Sequence, residues 1–192
     1  MTKNKGKEAA IPVDPVPYEP LVELARRTIK SGLLGTRTSR PQLEAPLDRP
    51  LGVFVTLWDR NQHLRGCIGH LEPVCDNVGE EVMECAMAAA TRDPRFPPME
   101  PVELSTTSIE LSMVLPSEAI QSLDELDPAV YGVIVESGYR LGTLLPDIDG
   151  VETAEQQVEI ARQKAGIGPD EPVKMRRYRV IKVKERPRRP PP

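Results

Sequence analysis

The run Leu64-Arg65-Gly66-Cys67-Ile68-Gly69 sets a thiol between two glycines and two residues beyond an arginine. A nearby cation favours the thiolate, the form of cysteine that acts as a nucleophile. Glycines let backbone come close to a neighbour or adopt positive φ. If residues 63–69 are extended, His63, Arg65 and Cys67 share one face, and Arg65 reaches the surroundings of the thiol. The histidines are poorly placed to serve it. His63 is about 13 Å away at ~3.3 Å per residue, and His70 lies on the opposite face unless Gly69 turns the chain. Two readings of Cys67 therefore stand: a nucleophile or carrier with Arg65 as its electrostatic partner, or a small residue packed where a hairpin meets a helix.

A second constellation is Arg92-Asp93-Pro94-Arg95-Phe96-Pro97-Pro98. Asp93 and Arg95 are candidates to line a binding site, because arginines around an acid can bind an anionic group and the prolines stiffen the loop that carries them. An equally weighted reading is structural, with Asp93 tied to an arginine or a backbone N–H and Phe96 plugging the core. Gly66, Gly69 and His70 complete the candidate binding set, the glycine N–H groups as anion donors. No metal centre is expected. Cys67-x2-His70-x4-Cys75 gives three soft ligands where a structural zinc site takes four, and Cys85 falls on an apolar helical stripe. No cofactor is implied, and no Gly-rich phosphate loop is present.

These residues need a scaffold. The chain has 192 residues, 39% of them hydrophobic and 28% charged, in the range of a globular domain. Seven aromatics leave Val, Ile, Leu and Ala to supply most of the burial. Residues 1–17 and 185–192 read as Pro-rich tails, the second basic, around a domain at 18–184. No apolar run is long enough for a membrane span, and the N-terminus lacks a signal-peptide core, so the expected location is the cytoplasm. Three cysteines do not make a disulfide framework. The net charge of −4 is unevenly spread: residues 174–189 hold nine Lys or Arg and one acid, Glu185, which is +8 locally and −12 elsewhere. This stretch reads as a charged edge strand and tail in preference to a nucleic-acid surface, since Tyr178 is its one aromatic.

Periodicity orders the elements. Leu21, Leu24, Ala25 and Ile29 predict a helix over 18–31, stopped by Gly32. Residues 35–50 read as a surface loop. Residues 51–58 and 63–68 predict a hairpin that carries Cys67 on its second arm. Asn77 with Glu80 resembles a capping box for a helix ending near Thr91, since Pro94 disfavours αR at Asp93. A strand follows at 105–115, then a hairpin of 131–135 and 139–145. A helix capped by Thr153 and Gln156 ends at Gly166, and a last strand spans 177–184. Hairpins rather than repeated crossovers argue an α+β fold with a mainly antiparallel or mixed sheet flanked by helices.

Leu64 to Gly69, then Ala89 to Pro98, Glu103-Leu104, Ile109 to Ser112, Tyr131-Gly132-Val133, Leu144-Leu145-Pro146 and Lys164-Ala165-Gly166 together resemble the AMMECR1 domain, over roughly residues 18–184. The resemblance implies a single domain of two unequal lobes around a mainly antiparallel sheet. It also implies company: such proteins are similar to component A of the AmmeMemoRadiSam system, beside Memo-type and radical SAM proteins. It supplies no reaction, so the expected activity is binding of a small molecule or modified group at a Cys67 cleft, with a protein–protein adaptor as the alternative. Two departures stand out. The position after Gly69 is commonly threonine and here is His70. The usual Gly-Trp-Asp before the last helix is here Gly150-Val151-Glu152.

Overall fold

The computed structural model describes residues 18–45 and 47–185; the expected tails, Glu185 apart, lie outside them. Helix α1 spans Glu19–Leu33, followed by the hairpin β1 (Val53–Trp58) and β2 (Leu64–Gly69) and by helix α2 (Val78–Thr91). Then come β3 (Ser108–Val114), a short β4 (Glu118–Ile120), the hairpin β5 (Gly132–Ser137) and β6 (Arg140–Leu144), helix α3 (Ala154–Ala165), β7 (Lys174–Tyr178) and β8 (Val180–Lys184). Two four-stranded sheets result, ordered β2-β1-β3-β8 and β4-β7-β5-β6. Every strand pairing is antiparallel. The fold is α+β.

Each sheet carries its own core. In the larger lobe the stripes of α1 (Leu21, Leu24, Ala25, Ile29) and α2 (Val78, Val82, Cys85, Ala86, Ala89) bury against Val53, Val55 and Leu57 of β1 and Ile109, Leu111 and Met113 of β3. In the smaller lobe α3 places Val158 and Ala161 on Val133, Val135 and Leu144. Val114, Ile134 and Tyr178, with Phe54, Leu71, Leu145 and Val180 packed around them, join the two.

One glycine in each lobe sets the helix-to-sheet distance. A Cβ on Gly66 of β2 would stand 2.2 Å from the carbonyl oxygen of Ala89 in α2, and one on Gly142 of β6 would stand 1.9 Å from that of Ala161 in α3. Both are far inside contact distance and meet backbone, which cannot swing aside as a side chain can.

Three local expectations need correction, and one strand was not expected. Gly32 does not stop α1, which runs on to Leu33; it gives room to the Met87 side chain, 2.5 Å from where its Cβ would be. The last strand is two strands: the chain leaves one sheet at Tyr178 and enters the other at Val180, with Arg179 between them. Within 177–184 the polar residues fall at odd positions (Arg177, Arg179) before the crossing and at even ones (Lys182, Lys184) after it, and the adjacent pair Val180-Ile181 is the one local mark of the change. Strand β4 is three residues long and too short to carry a pattern. Glu185 is no tail residue: its N–H donates to Ile109 O at 2.8 Å, and its carboxylate pairs with the buried Arg26 guanidinium.

Substituting Gly66→Ala should cost about 1–3 kcal/mol by overpacking. Urea titration followed by far-UV circular dichroism measures this; an unchanged midpoint would show that α2 is free to draw back.

Candidate functional site

β2 is an edge strand, so alternate residues present their backbone N–H and C=O to no neighbouring strand. Cys67 is such a residue, and side chains take both groups. Its N–H donates to Asp93 Oδ2 at 2.8 Å, and its carbonyl accepts from Arg95 Nη2 at 3.2 Å. Arg95 in turn donates Nε to Asp93 Oδ1 (3.0 Å) and Nη2 to Asp93 Oδ2 (2.7 Å). The Asp93–Arg95 pair thus stands in for one residue of a missing strand. Asp93 can do this because α2 ends at Thr91 and Pro94 fixes the turn that follows. Its residue is 4% exposed. The Arg95 guanidinium, helped by the Cys67 N–H, holds the Asp93 carboxyl well below the usual carboxylate range.

Gly66 faces Ala89 of α2, so Cys67 points to the other side of the sheet. There it meets its cross-strand partner Thr56, whose Oγ1 lies 3.3 Å from Sγ. Burial pushes the half-buried thiol up, against the Thr56 hydrogen bond and the positive charges of Arg95 and Lys164. Lys164 comes from the last turn of α3, in the smaller lobe, and its Nζ donates to Thr143 O at 3.0 Å. Partial desolvation there pulls its own pKa down.

Arg65 is spent elsewhere. The β1–β2 register slips between Leu57 and Trp58, leaving Arg65 without a cross-strand partner, as at a bulge that re-aims a side chain. Its Nε and Nη2 bind both oxygens of Glu103 at 2.8 and 3.0 Å, and Nη2 also reaches Pro97 O at 3.1 Å. The expected pairing of Arg65 with the thiol gives way to Arg95 and Lys164. Phe96 sits between the two arginines, 5.9 Å from Arg65 and 5.6 Å from Arg95 by ring centroid, within cation–π range. Gly69 serves close packing, its Cβ position 2.3 Å from Val53 O.

The histidines stay away from Cys67. His63 is exposed, 3.6 Å from Asp59. His70 Nδ1 lies 2.5 Å from Glu81 Oε1 and 3.6 Å from Cys85 Sγ. The candidate set therefore divides into two groups. Cys67, Arg65, Gly66, Asp93 and Arg95 share one neighbourhood, and His70 belongs to another. Lys164, Thr56 and Glu103 join the first group without having been singled out. Glu103 and Lys164 stood in quoted motifs, but nothing local ties either to β2.

The basic stretch is largely matched by acids. Arg176 pairs with Glu136, Arg177 with Glu118, Lys182 with Asp147 and Lys184 with Glu110, at 2.5–3.0 Å. Tyr131 lies under Arg177 at 4.3 Å. Arg186, Arg188 and Arg189 lie outside the described residues. No helix among the described residues is long and apolar enough to cross a membrane.

The geometry defines an α+β protein of two antiparallel sheets with a thiol on a capped edge strand near the smaller lobe's helix α3. The chain belongs to the AMMECR1 family, whose profile matches residues 22–183. A protein of Thermotoga maritima is 42% identical over 169 residues, covering 86% of this chain and 97% of its own length. A Clostridium acetobutylicum protein is 39% identical over 173 residues, covering 87% of this chain but 36% of the longer relative. The crystal structure of an uncharacterized Pyrococcus horikoshii protein superposes with a TM-score of 0.78 at 32% identity, over 87% of this chain and 90% of that one.

Replacing Asp93 with Ala strands the Cys67 N–H and should cost about 1–3 kcal/mol. Because folding depresses the Asp93 pKa, its contribution is complete above the unfolded value near ~4 and is lost as pH falls below it. Denaturation midpoints between pH 7 and 2.5 should therefore drop less steeply in Asp93→Asn than in the parent; equal slopes would remove Asp93 from the acid response.

Proposed function

We propose that this AMMECR1-family protein binds a small molecule or modified group carrying an anionic function beside Cys67, and that it works in the cytoplasm with Memo-type and radical SAM partners. The observation that carries this reading is the approach of two cations from different parts of the fold to one half-buried thiol. Arg95 comes from the α2–β3 connection and Lys164 from α3, and both charges act on Sγ. The Asp93 carboxylate offsets one of these charges, and the net positive charge that remains beside the thiol attracts an anion and discriminates against a cationic group. The partner part of the proposal is supported by the family, and by the longer Clostridium relative, in which the matching region is joined to further sequence.

The thiol is not a pre-formed nucleophile. Burial holds it protonated at neutral pH, so Cys67 acts as a hydrogen-bonding wall of the site, and as a carrier only when a partner supplies a base. The adaptor alternative also has an observation in its favour: the backbone of Cys67 is saturated by Asp93 and Arg95, as a purely structural hairpin would need.

Iodoacetamide labelling of the native protein, read by mass spectrometry across pH 6–10, separates the two. The expected result is slow modification of Cys67 at neutral pH, a rate that climbs with pH, and a slower rate at every pH in Lys164→Ala, which loses a charge favouring thiolate. In the reconstituted three-protein set, Cys67→Ser and Lys164→Ala should each lower activity at least tenfold while keeping the parent's circular dichroism. Full activity in both variants would leave the adaptor reading in possession.

A further inference from the structure

We infer that His70, Glu81 and Cys85 form a binding site for a single borderline-soft divalent cation of the zinc type, separate from the Cys67 group. Their donor atoms, an imidazole nitrogen, a carboxylate oxygen and a thiol sulfur, all lie within 4.8 Å of one another. Among the described residues they are the converging set of metal-ligating side chains, and Cys67 is not in it.

The scaffold is rigid where a metal site needs it. Glu81 and Cys85 are one turn apart on α2 and so share its inner face; both are fully buried. Glu81 Oε2 accepts the N–H groups of Val74 and Cys75 at 2.8 and 2.9 Å, which orients the carboxylate and leaves Oε1 facing His70. Outer-shell hydrogen bonds of this kind fix ligands in metal sites. The His70 side chain, 36% exposed, gives a cation a way in.

The distances fit a tetrahedral ion. Zn–N and Zn–O bonds near ~2.0–2.2 Å and Zn–S near ~2.3 Å place ligand atoms roughly 3.3–3.8 Å apart. Cys85 Sγ is 3.6 Å from His70 Nδ1 and 3.9 Å from Glu81 Oε1. Only the 2.5 Å Nδ1–Oε1 separation is too short, because the two atoms hydrogen-bond to each other. A cation entering there breaks that hydrogen bond, and the Nδ1 proton passes through solvent to Nε2. The imidazole then coordinates through Nδ1 as its Nε2–H tautomer, the Cys85 thiol releases one proton to solvent, and a water completes the four-coordinate shell on the exposed side. The mixed N, O, S donor set suits Zn2+ or Co2+ and disfavours Mg2+ and Ca2+, which take oxygen ligands.

The test is anaerobic titration of the reduced, full-length protein with Co2+. The expected result is one equivalent bound, a thiolate-to-cobalt charge-transfer band with intense tetrahedral d–d bands, and their displacement by Zn2+. Cys85→Ser should abolish the charge-transfer band, and His70→Gln, at a side chain open to solvent, should weaken binding at least tenfold with circular dichroism unchanged. Cys67→Ser should leave the spectrum intact. Absence of a charge-transfer band at millimolar Co2+ in the folded protein, its survival in Cys85→Ser, or its loss in Cys67→Ser would each overturn the assignment.

Discussion

The Asp93 carboxylate is the interaction on which the rest of the site depends. An edge strand must do something with its outward N–H and C=O groups, and β2 answers with a side-chain pair where a fifth strand would lie. One carboxylate accepts the Cys67 N–H and both polar ends of Arg95, so the closing of the sheet edge and the placement of a cation beside the thiol are a single event. The same turn sets Phe96 between Arg95 and Arg65, which carries the order across to Glu103 in the connection to β3. Remove the carboxylate and Cys67 loses its backbone anchor and one of its two cations loses its tether.

How much of this was legible depended on distance along the chain. Features that act within a few residues could be read directly. Thr153 and Gln156 form the reciprocal cap of α3, Gly166 takes positive φ at its end, and Ile109, Leu111 and Met113 alternate onto the core. The Asp93–Arg95 contact was weighed from sequence because it spans two residues. What could not be read was the assignment of charges to partners. Arg65 is 38 residues from Glu103, and only the fold decides that it turns there and not to the thiol two positions away. Lys164 reaches Cys67's surroundings from the other lobe, and Glu81 reaches His70 from the next helix. Gly32 misled because a glycine at a helix end has two uses, and Met87 claimed the steric one.

The two lobes solve their main packing problem in the same way. Gly66 against Ala89 and Gly142 against Ala161 each bring a helix backbone into contact with a strand by omitting one side chain. The lobes then meet through a small cluster around Tyr178, Ile134 and Val114, much smaller than either core. The charges beside Cys67 come from both sides of that junction. The electrostatic character of the thiol is therefore a property of how the lobes sit together, and a partner that shifts one against the other would change it without touching the cysteine.

The crossing at Arg179 has a consequence for the order in which the molecule can be made. β7 lies between β4 and β5 in its sheet, not at an edge, and β8 is the outer neighbour of β3 in the other. Both are the last strands in chain order. During synthesis from the N-terminus, β4 and the β5–β6 hairpin have no strand to join them until residue 178 is available, and β3, already paired with β1, waits a few residues longer for its outer neighbour. The polypeptide thus emerges as two sheets each lacking one strand, and one short strand pair, passing from the first to the second through a single residue, completes both.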